Sequence, residues 1–159
     1  MKILFLDIDG VLNSEALFRR RPPDARLEMN EDKWWAEMLD PDAIQRLNRI
    51  LAETGAKVVV SSTWRFALGP DDLQRILGSR GFVGEIIGAT PRRLTKRGDR
   101  RGDEIAAWLS DAACDVEAFV ILDDDSDMGA LLPKLIKTTW KAGLQDEHVT
   151  AARAMMGEL

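Results

Sequence analysis

Asp7 and Asp9, two residues apart, close a short apolar run, Ile3 to Leu6, and Gly10 follows them. A carboxylate can attack phosphorus, and a second one beside it can serve as general acid and then general base. Residues two apart leave the same side of an extended chain, and glycine lets that chain turn. A second run, Lys57 to Val60, ends in Ser61-Ser62-Thr63-Trp64-Arg65, and a third, Phe119 to Leu122, ends in Asp123-Asp124-Asp125-Ser126-Asp127. A serine hydroxyl can donate to a phosphoryl oxygen. Counting from Val60 favours Ser61, with Ser62 as the alternative; the other use of either hydroxyl is as a helix N-cap. The acidic cluster offers only oxygen donors, which suits Mg²⁺. Asp123 leads it, with Asp124 or Asp127 in support. A basic segment, Arg92 to Arg101, supplies cations.

These residues need elements to hold them. The three apolar runs read as buried parallel strands. Between the first and second lie residues 13–40, with Arg19-Arg20-Arg21, Pro22-Pro23 and Trp34-Trp35, and then a helix. The helix opens with Asp40 as N-cap and Pro41 at its first position, carries Ile44, Leu47, Ile50 and Leu51 on one face, and ends at Gly55. Glu15 to Arg21 reads as a helical turn stopped by the two prolines. A helix follows Gly69-Pro70, closed by Gly78 to Gly81. Glu85 to Gly88 reads as a short strand, Gly102 to Leu109 as a helix, Met128 to Pro133 as helix or loop, Lys134 to Thr138 as a last strand, and Asp146 to Met156 as a closing helix. Strands alternating with helices predict right-handed crossovers and a parallel α/β sheet covered on both faces. The whole chain, 1–159, reads as a single domain, large enough to bury a real core.

The order of motifs resembles the haloacid dehalogenase superfamily: Asp7-Ile8-Asp9, then the Ser61-Ser62 strand end, then a Lys or Arg, then Leu122-Asp123-Asp124-Asp125. Asp9-Gly10-Val11-Leu12-Asn13, Ser61-Ser62-Thr63-Trp64-Arg65 and Arg101-Gly102-Asp103-Glu104-Ile105 with Trp108-Leu109 narrow the likeness. They resemble the phosphatase domains of Swiss Army Knife RNA repair proteins. The resemblance implies a three-layer Rossmann-like sheet of order 3-2-1-4-5, with residues 13–40 as a minimal cap or flap. It implies a phosphomonoesterase with Asp7 as nucleophile, Asp9 as acid and base, and Mg²⁺ held by Asp7, Asp123, Asp124 and the backbone carbonyl of Asp9. The cation that begins the helix before the last motif fits Arg101, with Lys96 as the alternative; Gly10 and Arg65 become substrate contacts. An insertion this small leaves the site open, which suits the 3′- or 5′-phosphate of an RNA or DNA end. A nucleotide or another small phosphate ester is the alternative.

Composition excludes other chemistries. One cysteine, Cys114, permits no intramolecular disulfide, and with one histidine, His148, no zinc site forms without carboxylate help. Cys114 reads as a small core residue and His148 as a surface residue of the last helix. A net charge of −5 argues against binding polyanions through bulk charge. No leader-like segment and no apolar run of membrane-spanning length is present, so the expectation is a cytoplasmic protein without a membrane partner. No stable protein partner is legible. A receiver domain or a silent phospho-binding relative would share the sheet. A receiver, however, carries its phosphorylated aspartate at a middle strand, which here ends in Ser61-Ser62.

Overall fold

A computed structural model describes residues 1–27, 31–92 and 100–159. Five parallel strands form the sheet: β1 (Lys2–Leu6), β2 (Lys57–Val60), β3 (Ile86–Ala89), β4 (Ala118–Asp123) and β5 (Leu135–Lys137), in the order β3-β2-β1-β4-β5. This is the order the resemblance implied. Among the described residues the helices are α1 (Glu15–Arg20), α2 (Asp32–Glu37), α3 (Pro41–Thr54), α4 (Pro70–Ser79), α5 (Arg101–Asp111) and α6 (Asp146–Met156). Two 3₁₀ turns, Thr63–Phe66 and Gly129–Lys134, follow β2 and precede β5.

The period-two alternation of the strands divides the core. Leu4, Leu6, Val58, Val60, Val120 and Leu122 face one layer with the apolar stripes of α3, α4 and α6. Ile3, Phe5, Val59 and Ile121 face the other, with Ile105 of α5 and Met128. α3 begins and ends as its sequence dictates: the Asp40 side chain accepts from the Asp42 amide, and Gly55, at φ 71°, closes the helix. β1 is the hinge of the architecture, paired on both sides with Leu6 level with Val60 and with Leu122. Among the described residues no helix is long and apolar enough to cross a membrane.

The insertion at 13–40 holds two short helices. α1 is capped by Ser14, and its start is tied to the far end of the chain: the Glu15 and Ala16 amides donate to the carbonyls of Trp140 and Lys141. α2, which the sequence reading did not anticipate, contains Trp34 and Trp35. Trp35 packs against the larger core cluster and meets Trp64 edge to face at 4.8 Å between centroids.

Phe5, fully buried on the central strand, lies edge-on to Trp108 (5.4 Å) and Phe119 (5.8 Å) and locks the α5 layer to the sheet. Phe5→Ala is expected to cost about 3–5 kcal/mol of stability in urea unfolding followed by circular dichroism. A cost below about 1 kcal/mol would show that this layer does not depend on the aromatic cluster.

Candidate active site

One residue beyond the level pairs of the sheet, β1 delivers Asp7, β2 delivers Ser61 and β4 ends in Asp123. Backbone bonds hold them level: the Asp7 amide donates to the Leu122 carbonyl and the Ser61 amide to that of Leu6, both at 2.9 Å. All three are buried, with Asp7 6 % and Asp123 1 % exposed. Asp124 joins them, and Asp7, Asp123 and Asp124 each offer an oxygen within 4.8 Å of the others.

Like charges at this spacing repel, and burial denies them water. Burial raises Asp7 to about 6, the nearby Arg101 guanidinium and the facing Ser62 hydroxyl partly offsetting it. Burial and then the Asp7 charge raise Asp123 to about 7, and burial also raises Asp124. The Arg101 guanidinium lies 3.4 Å from Asp123 Oδ2 and 3.9 Å from Asp7 Oδ1. Asp123 Oδ2 is buried and has no hydrogen-bond partner. A pocket of three oxygen donors, one of them buried and unbonded, fits a hard divalent cation such as Mg²⁺, which is satisfied by few carboxylates and retains waters.

The turn that carries Asp9 is fixed at nearly every backbone group. The Gly10 amide donates to Asn13 Oδ1 (2.9 Å), and its carbonyl accepts from Thr138 Oγ1 (2.6 Å). The amides of Leu144 and Asp40 donate to the Val11 and Leu12 carbonyls. Asp9 Oδ1 accepts from Asn13 Nδ2 (2.9 Å) and from Trp64 Nε1 (3.1 Å), so its carboxylate is aimed by two donors. Gly10 sits at φ +78°, and a Cβ there would lie 2.3 Å from Asp124 Oδ2. Its role is thus the turn and the close approach of Asp124. Both its backbone groups, at the position expected to contact substrate, are bonded to protein.

Arg101 opens α5, where the resemblance put the cation. Asp127 holds that helix start: its Oδ2 accepts from the Arg101 amide (3.0 Å), and its carbonyl accepts from the Gly102 amide (3.1 Å). A Cβ on Gly102 would meet the Met128 carbonyl oxygen at 2.1 Å, so only glycine lets α5 approach this closely. Asp127 is therefore an anchor of α5, and Asp124 is the aspartate that clusters with Asp7 and Asp123. Lys96, the alternative cation, lies outside the described residues.

Arg65, expected as a substrate contact, lies beneath the serine loop. Its Nε donates to the Thr90 carbonyl, Nη1 to those of Ser61 and Ser62, and Nη2 to Glu104 Oε2 at 2.6 Å. Its side chain is 4 % exposed. It braces the serine loop from below. Ser62 is the N-cap of the 3₁₀ turn, its Oγ accepting from the Trp64 amide (3.3 Å), and it also faces Asp7. Ser61 Oγ is buried without a partner. The flap arginines are largely committed as well, Arg19 to Glu15 (2.8 Å) and Arg20 to Asp40 (2.9 Å). His148, read as a surface residue, is half-buried, and its Nδ1 accepts from the Gln145 amide at the start of α6. Cys114, read as a core residue, is only half-buried.

A central parallel strand ending in a buried Asp7 and a half-exposed Asp9, facing a hydroxyl, an arginine and an acidic strand end, is the arrangement that the resemblance implied. Residues 3–149 match the model of the HAD domain in Swiss Army Knife RNA repair proteins, and the chain belongs to that family. The family points to a phosphatase-type hydrolase. No curated protein and no solved structure matches the chain.

Two outcomes follow from the carboxylate cluster. Asp7 and Asp123 carry raised values, so the folded state binds more protons than the unfolded chain between about pH 4 and pH 7. In EDTA their contribution to stability is full below about pH 4 and is lost as pH rises to about 7. Mg²⁺ needs the deprotonated forms, so the rise in Tm that it gives is expected to be larger at about pH 8 than at about pH 5.5. Equal thermal shifts at both would count against a site built on these two groups. Gly10→Ala is expected to weaken Mg²⁺ binding about 10- to 100-fold by calorimetry, through displacement of Asp124; unchanged affinity would separate Asp124 from the site.

Proposed function

We propose that this chain is a Mg²⁺-dependent phosphomonoesterase that works through an aspartyl-phosphate, and that its substrate is the terminal phosphate of a nucleic-acid strand. The observation that carries the reading is the pairing of a buried Asp7 with a separately aimed Asp9. An Asp7 oxygen attacks phosphorus and the ester P–O bond breaks. Asp9, as general acid, gives a proton to the leaving oxygen. Asp9, now a base, takes a proton from water, whose oxygen attacks the phosphorus of the aspartyl-phosphate. The acyl-phosphate P–O bond breaks, inorganic phosphate departs and the Asp7 carboxylate is restored.

Arg101 and a serine hydroxyl stabilise charge on the equatorial oxygens, Arg101 through a planar fork suited to phosphate. Ser62 supports this role by facing Asp7, and Ser61 by its unpartnered hydroxyl. Asp7, Asp123, Asp124 and the Asp9 carbonyl would hold Mg²⁺, which would screen the attacking carboxylate from a dianionic phosphate.

The family's association with RNA repair supports a nucleic-acid end as substrate. A small-molecule phosphatase is the second reading, favoured by one observation: Arg19 and Arg20 are paired with carboxylates of the chain itself and so offer less to phosphates beyond the first. Phosphate release is to be compared for nucleotides, sugar phosphates and 3′- or 5′-phosphorylated oligonucleotides, with Mg²⁺ and with EDTA. The expected result is metal-dependent turnover with higher kcat/KM for oligonucleotides; equal values for the matching mononucleotide select the second reading. Asp7→Asn is expected to lower kcat at least about 10³-fold on any substrate, and substantial turnover by the purified variant would remove Asp7 as nucleophile.

A further inference from the structure

A cleft of about 210 Å³ is lined by Thr63, Arg65, Phe66, Arg101, Glu104 and Asp127. Arg101 ties this cleft to the reaction centre, since its guanidinium reaches both Asp7 and Asp123. Phe66 is 48 % exposed, although the 3₁₀ turn that carries it also carries the buried Trp64. Two guanidinium carbons, those of Arg65 and Arg92, each lie 4.5 Å from the centroid of its ring. Arg65 is fixed by four hydrogen bonds to the chain, so the ring it touches is held in place. Arg92 is exposed.

A single exposed aromatic ring is ordinary. This one differs in its company. It borders the cleft that contains the phosphate-facing arginine, and it is paired with an exposed guanidinium whose plane also stacks on flat rings. Guanidinium groups already lie over this ring, so a base would stack on exposed Arg92 backed by Phe66, a platform of the kind on which nucleobases stack without regard to sequence. The cleft is smaller than typical ligand pockets of about 300–1,000 Å³. It suits a phosphate and sugar with the base lying outside, against the rim.

We propose that Phe66 and Arg92 form a nucleobase-stacking subsite, so that the ligand of this site is a nucleoside phosphate with its phosphate toward Asp7 and Arg101. This rests on the phosphatase reading for its catalytic test and stands apart from it for binding. The shared chemistry is that of a free nucleotide and of a terminal nucleotide in a strand.

The test compares base-bearing and baseless substrates in the wild type, Phe66→Leu and Phe66→Trp. Adenosine 5′-phosphate is set against ribose 5-phosphate. Short 3′- and 5′-phosphorylated oligonucleotides are set against versions with an abasic terminal nucleotide. The expected result is that the ratio of kcat/KM, base-bearing over baseless, falls about tenfold in Phe66→Leu and is kept in Phe66→Trp. A fall with adenosine 5′-phosphate alone assigns the subsite to free nucleotides, and a fall with the oligonucleotides assigns it to strand ends. Ratios unchanged in Phe66→Leu overturn the subsite and leave the phosphatase intact.

Calorimetric binding of adenosine 5′-phosphate to the same three proteins separates the two claims. Affinity about tenfold lower in Phe66→Leu and retained in Phe66→Trp supports the subsite even if no phosphate ester is turned over, an outcome that removes the phosphatase reading instead. Equal affinity in all three proteins, or no binding to the wild type, overturns the subsite.

Discussion

Asp7, Asp123 and Asp124 are brought within 4.8 Å of one another where the two central strands end, and that crowding is the constraint on which the site depends. Buried carboxylates at this distance are each worse off ionised than they would be in water. Within the described residues, Arg101 is the guanidinium that faces both Asp7 and Asp123. Much of the surrounding structure serves to put it there. Asp127 caps the helix that Arg101 begins, Gly102 lets that helix press on the Met128 carbonyl, and Glu104 links the helix to Arg65 under the serine loop. One cation does not neutralise three carboxylates, which is why the raised values of Asp7 and Asp123 and the donor set for a divalent cation belong to the same explanation.

The second constraint is the contrast between the surroundings of Asp7 and Asp9. They are two residues apart in sequence but live in different surroundings. Asp7 is packed into the strand ends, whereas Asp9 is half-exposed and gripped by the Asn13 amide and the Trp64 indole. A nucleophile and an acid–base group need different environments if one is to attack while the other moves a proton. Trp64 also meets Trp35 of the flap, so the small insertion is joined by an aromatic contact to a residue that aims Asp9.

The sheet order and the roles open to Asp7, Asp123, Asp124 and Arg101 were legible because buried parallel strands read as apolar runs and their chemistry stands at the carboxyl ends. What sequence reasoning missed depends on turns folding back. Asn13 and Trp64 reach Asp9 across loops whose geometry no periodicity encodes; the motif Asp9-Gly10-Val11-Leu12-Asn13 held the only signal, an amide at hydrogen-bonding reach of a tight turn. The inward course of Arg65 was not legible because an arginine beside a hydroxyl motif reads the same whether it faces out or under; the carbonyls of Ser61, Ser62 and Thr90 hold it under. The bond from Asp127 to the start of α5 was not legible because an acidic run does not reveal which member caps the neighbouring helix.

The central claim is that Asp7 becomes covalently phosphorylated. The direct measurement is to mix the Mg²⁺-loaded protein with a hydrolysed phosphate ester, quench in acid within one turnover, and locate hydroxylamine-labile phosphate by peptide mass spectrometry. The account predicts the label on the peptide containing Asp7, and its accumulation in Asp9→Asn when the substrate has a good leaving group. A burst of product with no protein-bound phosphate, or a label on Asp123, would contradict it.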